Sequence, residues 1–185
     1  MKLPTLIAVV ALGVGPGLGA LRAEEGLKDQ TKPQIAANDG TFLIGVSRRT
    51  ESEIKMGELA KTRAGSDSVK RLGDQIVVAY NRMHEEIKSL ASKKALKLWG
   101  GPDNIRISVL RQLNGNAFDR AYLTQVVTNH EKNIWEFEDA LTTSSDPDIK
   151  AFVAGHLPTL RAHLDTVKRL NTPGAIAPSE PAIGF

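Results

Sequence analysis

Residues 114–130 read NGNAFDRAYLTQVVTNH and contain both the end of one predicted helix and the start of the next. Asn114 and Gly115 can close a helix because both residue types tolerate a left-handed backbone conformation. A new helix is predicted from Asn116, with Asp119 three residues later as its capping carboxylate. The remainder of the stretch then lies on one continuous helix.

That helix carries Tyr122, Val126 and His130 on one face, since residues four apart in a helix lie one above the other. Apolar residues recur at the same spacing in three other long segments, and a shorter amphipathic segment covers residues 105–113. The four long helices are predicted at about residues 39–64, 67–98, 116–141 and 146–170. The inward face of the first is predicted to comprise Val46, Thr50, Glu53, Gly57, Ala60 and Ala64.

The spacing predicts an all-α fold, a four-helix bundle with a short extra helix between helices two and three. The composition agrees, because only 5% of the 185 residues are aromatic and no cysteine is present. Without cysteine the chain has no disulfide, no thiolate metal ligand and no cysteine nucleophile. The remaining segments are predicted as a flexible linker at residues 24–38 and a disordered tail at residues 171–185.

Residues 1–23 have the pattern of a secretory signal peptide, with Lys2 before an apolar run and a cleavage site between Ala20 and Ala23. Glycines and a proline interrupt the run, which argues against a membrane anchor. Cleavage would remove two of the 24 basic side chains and none of the 21 acidic ones, so the net charge would fall from +3 to +1. We therefore expect an exported, periplasmic protein with no stable membrane span and no nucleic-acid partner.

The four histidines of the chain, His84, His130, His156 and His163, all lie in predicted helices. Counting residues outward from the turn near residue 145 places His130 within about one helical turn, roughly 5 Å, of His163 along the bundle axis. The same count about residue 65 separates Glu53 from His84 by about 9 Å in height. Imidazole and carboxylate groups inside a bundle can bind iron, copper, zinc or manganese.

The predicted metal ligands are therefore His130 and His163, then His84 and Glu53. Tyr122 and Asp119 are predicted to lie behind them, Tyr122 as a hydrogen-bond donor. The alternative is that the histidines are hydrogen-bonded within the core and that Glu53 pairs with an arginine or a histidine. Asp119 is interpreted as a helix-start carboxylate rather than as a ligand. His156 is expected to be structural.

Catalytic patterns are absent from the sequence. No glycine-rich phosphate loop follows a strand, no serine sits in a nucleophile elbow, and a compact bundle offers little of the cleft that paired carboxylates need. We therefore assign no catalytic residue.

Several short motifs resemble the exported bacterial family called domain of unknown function 4142. They are AFDRAY at 117–122, HEK at 130–132, LPTL at 157–160 and HL at 163–164, with upstream matches around Glu53, residues 66–70 and Met83-His84. The resemblance covers about residues 38–170. It implies a ferritin-like bundle, and it singles out Glu53, His84, Asp119, Tyr122, His130 and His163.

The resemblance does not imply a reaction. Di-iron members of the wider ferritin-like group carry Glu-x-x-His on two helices, whereas no histidine here has glutamate three residues before it. The hypothesis is therefore an exported ferritin-like bundle that binds one metal ion. The alternatives are a non-catalytic envelope interaction or stress-protective bundle and, more remotely, an oxidoreductase. Protein partners stay open, a homo-oligomer among them.

Overall fold

The computed structural model describes residues 35–172, most of which are helical. The predicted signal peptide, most of the linker and nearly all of the tail lie outside these residues. The helices are α1 (Ala37–Arg63), α2 (Asp67–Lys93), α3 (Asn104–Arg111), α4 (Gly115–Thr143) and α5 (Pro147–Leu170). None of the helices in this described part is long and apolar enough to cross a membrane.

The helix directions follow from the side-chain pairs between neighbours. Along α1, Thr50 contacts Met83 and Lys61 contacts Asp74, so α2 is antiparallel to α1. The pairs Arg49–Asn133 and Glu53–Asn129 make α4 antiparallel to α1 as well. The helix α5 returns antiparallel to α4, as Arg161–Glu138 and Lys168–Glu131 require.

Because α2 and α4 run in the same direction, residues 94–114 must cross the length of the bundle, and α3 forms part of this crossover. One long crossover is the arrangement of ferritin-like four-helix folds. The predicted fold class is confirmed, including the short helix between the second and third long helices.

The two helices of the first pair, α1 and α2, approach closely where both carry glycine. A Cβ atom at Gly57 would lie 2.7 Å from Val77 and 2.9 Å from the Gly73 carbonyl, and one at Gly73 would lie 2.7 Å from Ala60. The predicted inward face of α1 is confirmed, since all six of its residues are buried.

Asp119 does not cap its own helix, and that prediction is wrong. The helix α4 begins one residue earlier, at Gly115, and Asn114 precedes it without a side-chain capping bond. The fully buried carboxylate of Asp119 instead accepts hydrogen bonds from the backbone N–H groups of Gly65 and Ser66, at 3.0 and 2.9 Å. It therefore ties α4 to the turn between α1 and α2, a contact across 53 residues that helix periodicity cannot indicate.

The second helix also ends earlier than predicted, at Lys93 rather than near residue 98. Ala95 adopts a left-handed conformation with φ of 51°, and the N–H groups of Ala95 and Leu96 donate to the carbonyls of Ser92 and Ala91. This double hydrogen bond is the Schellman ending of a helix, which usually has glycine at the left-handed position. With alanine there, the sequence contains no stop signal.

The first helix begins at Ala37, slightly before the predicted start at about residue 39. The fifth begins as predicted, with Asp146 accepting hydrogen bonds from the N–H groups of Asp148 and Ile149 and with Pro147 at its first position. This helix continues through Pro158 to Leu170.

We expect Asp119→Asn to lower the free energy of unfolding by about 1–3 kcal/mol. The asparagine amide has one acceptor oxygen, so its NH₂ group would face either the Gly65 or the Ser66 N–H group and leave that donor unpaired. Urea denaturation at pH 7 measures the change. The matched control is Asp165→Asn, which changes an exposed carboxylate on α5. Equal stability of the two variants would contradict the role given to Asp119.

Candidate metal centre

His130 lies at the centre of the bundle and is fully buried. Its Nδ1 atom is 3.0 Å from the carbonyl oxygen of Val126, and since a carbonyl can only accept, Nδ1 carries the proton. Nε2 therefore holds the lone pair, and the Tyr80 hydroxyl, 3.3 Å away, donates to it. Burial, with a smaller effect of the nearby His163, lowers the pKa of His130 to about 3, so the ring is neutral at pH 7.

His163 is the second imidazole at this level. Its ring centroid is 5.6 Å from that of His130, and the two ring planes meet at 64°. Its Nδ1 atom is buried and has no hydrogen-bond partner among residues 35–172. Burial lowers the pKa of His163 as well. The predicted proximity of these two histidines is therefore present in the fold.

Glu53 is fully buried on the other side of His130 from α5. Its Oε1 atom accepts a hydrogen bond from Asn129 Nδ2 at 2.5 Å, whereas Oε2 is buried with no partner in the described part of the chain. Burial raises the pKa of Glu53 to about 8, against the smaller lowering effect of Asn129. The side chain is therefore mainly protonated at neutral pH.

Neither Arg48 nor Arg49 pairs with Glu53, so the alternative in which Glu53 pairs with an arginine is wrong. Arg49 Nε donates to Asn133 Oδ1 at 2.7 Å, and its terminal nitrogen forms an ion pair with Glu136. Asn133 Nδ2 in turn donates to the Tyr80 hydroxyl at 3.2 Å. A continuous chain of hydrogen bonds thus runs from the partly exposed Arg49 to His130.

The other predicted site residues lie apart from this pair of imidazoles. The Tyr122 hydroxyl is buried without a partner in residues 35–172, and its ring stacks on Phe118 with centroids 5.5 Å apart. The half-buried His84 has a buried Nδ1 atom that also lacks a partner there. Neither residue is hydrogen-bonded to His130 or His163 within the described chain.

His156 pairs with Glu86, its Nε2 atom 2.9 Å from the carboxylate, and packs against the Phe152 ring at 4.8 Å. This structural position agrees with the expectation for His156. Glu86 is half-buried in this pair.

In residues 35–172 no three or more His, Asp or Glu side chains are grouped so that they could hold a metal ion. Of the four predicted ligands, the fold brings His130 and His163 together. Sequence reasoning missed the polar partners Tyr80, Asn129, Asn133 and Arg49. Two features of the sequence could have indicated these partners. Tyr80 lies on the inward face of its helix, and Asn129 and Asn133 lie next to His130 and one turn after it.

The sequence matches the family described as a domain of unknown function (DUF4142) over residues 25–170. The chain belongs to this family. No curated protein sequence matches it.

Solved structures with the same fold include a DUF305 fragment from Deinococcus radiodurans, at 11% identity and a TM-score of 0.66, covering 74% of this chain and 96% of that one. CopM in its Cu(I)-bound form is 18% identical with a TM-score of 0.62, covering 70% and 92%. CopM in an Ag-bound form is 19% identical with a TM-score of 0.63, covering 74% and 98%. At these identities the likeness concerns the fold alone.

The pKa values of Glu53 and His130 predict opposite effects of pH on stability. The pKa of Glu53 is raised in the folded state, so the unfolding free energy falls as pH rises from about 4.5 to about 8. The pKa of His130 is lowered, so the unfolding free energy falls as pH drops from about 6.5 to about 3. Above pH 6.5 Glu53 dominates, because Tyr80 and Tyr122 have pKa values well above 10.

We therefore expect the unfolding free energy to fall between pH 6.5 and 8 in the wild-type chain, by at most about 1.4 kcal/mol per pH unit, and to be nearly flat in Glu53→Gln. Urea denaturation at several pH values measures both slopes. Glu131→Gln, at an exposed carboxylate on α4, should keep the wild-type slope. The same slope in Glu53→Gln would show that Glu53 is ionised in the folded protein.

Proposed function

We propose that this bundle binds one monovalent coinage-metal ion, Cu(I) or its analogue Ag(I), between His130 and His163. The supporting observation is a pair of imidazoles, His130 fully buried and His163 half-buried, whose ring centroids are 5.6 Å apart. One metal ion held by two imidazole nitrogens at about 2.0–2.1 Å from each would separate the ring centroids by roughly 5–6.5 Å, the larger value for a linear arrangement and the smaller for a bent one. The observed spacing fits that range.

The protonation states favour metal binding. A ring nitrogen binds a metal only through its lone pair, and the lowered pKa values of both histidines keep the rings neutral. His130 presents Nε2, because Val126 holds the proton on Nδ1. His163 has a buried Nδ1 atom with no partner in residues 35–172. Neither histidine is a cation that would first have to release a proton to bind the metal ion.

Two nitrogen donors also limit the choice of metal. Zinc is held by four ligands in structural sites and by at least three protein ligands in catalytic ones, and manganese prefers many oxygen donors. A filled-shell monovalent ion such as Cu(I) accepts two nitrogen donors. Of the four metals predicted from the sequence, copper is therefore the one that this pair suits, and Glu53 and His84 are not required as ligands.

The fold neighbours support the same choice. CopM, whose bundle resembles this one, is known in Cu(I)-, Cu(II)- and Ag-bound forms.

Metal binding here would also displace the Tyr80 hydroxyl from His130 Nε2, since that atom has one lone pair. Tyr80 therefore occupies the ligand position in the metal-free protein, and Asn133 can still hold its hydroxyl after displacement.

We also propose that the protein acts outside the cytoplasm, which the signal-like pattern at residues 1–23 supports. There it would bind copper without catalysing a reaction. Expression of the full chain with a C-terminal tag and fractionation tests this part. Recovery from the periplasm with an N-terminus between residues 21 and 24 is expected, whereas an uncleaved chain in the cytoplasm would contradict export.

The metal proposal is tested with untagged protein, titrated anaerobically with Cu(I) against a chromophoric chelator and separately with Ag(I). We expect one ion per chain. Loss of a group behind a ligand costs about 10- to 100-fold in affinity, so His130→Ala and His163→Ala should each cost at least about 100-fold.

The matched control is His156→Ala, which removes a buried histidine from the same helix as His163 and should leave Cu(I) affinity unchanged. Circular dichroism of each variant checks the fold. Stoichiometric binding that survives the double variant His130→Ala/His163→Ala would place the metal elsewhere.

The alternative function is a bundle whose histidines are structural. Both ring nitrogens of His130 have hydrogen-bond partners, which favours this reading for that residue. In that case neither Cu(I) nor Ag(I) binds stoichiometrically, and neither raises the melting temperature. Capture of protein partners from the cell envelope then becomes the relevant measurement.

A further inference from the structure

A second polar feature lies outside the bundle core, where the crossover passes over α1 and α4. A groove of about 270 Å³ opens there, between α1, the start of α3 and the middle of α4. Its lining residues come from all three segments: Gly45, Arg48, Arg49, Ser52, Met56, Gly101, Asp103, Arg106, Thr128, Asn129 and Lys132. The pair His130 and His163 is not among them.

The groove has an excess of positive charge. Arg48, Arg49, Arg106 and Lys132 line it, against the single carboxylate of Asp103. Glu136 lies next to Arg49 and 3.9 Å from Lys132, so it offsets one more charge. Two positive charges remain in excess, within a concave surface that concentrates their field.

Arg48 is held in place by a contact to the backbone of the crossover rather than by a carboxylate. Arg48 Nε donates to the Gly101 carbonyl at 3.3 Å, and within residues 35–172 its side chain has no carboxylate partner. Gly100 has φ of 84°, and a Cβ atom there would lie 2.8 Å from Arg48 Cδ and Nε. The crossover backbone thus bends closely around the Arg48 side chain, and among residues 35–172 its two terminal nitrogens donate to no other group.

The opposite wall is equally fixed. Arg106 donates from a terminal nitrogen to Asn129 Oδ1 at 3.2 Å and from Nε to Asp103 at 3.2 Å. The Asp103 N–H donates to Ser52 Oγ at 2.8 Å, which anchors the crossover to α1. These hydrogen bonds restrain the two exposed arginines, which lowers the conformational entropy that they would lose when an anion enters the groove.

We infer that this groove binds a small tetrahedral oxyanion, phosphate or sulfate, between the Arg48 and Arg106 guanidinium groups. Guanidinium groups suit this ligand because their planar N–H donors match pairs of oxygens on phosphate and sulfate. Lys132 on α4 supplies a further cation at the rim. The proposed copper ligands His130 and His163 are not part of this site.

The test is isothermal titration of the full chain with inorganic phosphate and with sulfate, at low and constant ionic strength set with sodium chloride. Saturable one-to-one binding is expected for both anions. Arg48→Gln/Arg106→Gln should weaken binding at least about 10-fold. Arg161→Gln removes one guanidinium charge from an exposed position on α5, outside the groove, and should leave binding unchanged.

Arg48→Lys separates charge from geometry, since it keeps the cation and loses the planar donor pair, and it should weaken binding as Arg48→Gln does. Vesicles of phosphatidylglycerol test the other source of phosphate, a lipid headgroup. Binding to vesicles without binding to free phosphate would overturn the inference, as would phosphate binding that the Arg48 and Arg106 variants leave unchanged. If Arg106→Gln unfolds the protein, the Arg48 variants alone decide.

Discussion

The Tyr80 hydroxyl is the atom on which the middle of this bundle depends. It accepts a hydrogen bond from Asn133 and donates one to His130, so it joins α2 to α4 across the core. Each polar group left unpaired in such a place would cost about 1–3 kcal/mol, so the helices must keep the register that pairs them. An apolar core alone would tolerate small shifts along the axis. This polar layer does not, and it fixes the height of His130 relative to α2.

Burial in the core sets the charge states of its ionisable groups. Desolvation disfavours every charged form, which leaves His130 neutral and Glu53 protonated near pH 7. Four buried polar atoms still lack partners in the described chain, on Glu53, His84, Tyr122 and His163. A buried polar group without a partner is a candidate ligand position. His163 is the one of these four whose ring lies beside a second imidazole.

The crossover allows α2 and α4 to run in the same direction, as in ferritin-like folds. It also forms one side of the groove that contains Arg48 and Arg106. Its first residues are fixed by the left-handed Ala95 and by Lys94, which pairs with Asp146 and Asp148 at the start of α5. Its end is fixed where Asp119 holds the turn between α1 and α2. Between these anchors the chain lies over α1 and α4, and its Gly100 and Arg106 complete the cationic groove.

The sequence by itself determined the four long helices, the inward faces and the level of His130 beside His163, because helix periodicity and short turns are local properties. It could not determine the role of Asp119, whose hydrogen-bond donors lie 53 and 54 residues away. It also missed the helix end at Ala95, where no glycine marks the left-handed residue. Only the tertiary structure decided that Glu53 meets Asn129 rather than an arginine or a histidine. That choice depends on how the helices are rotated against each other, and the rotation is a property of the packed bundle.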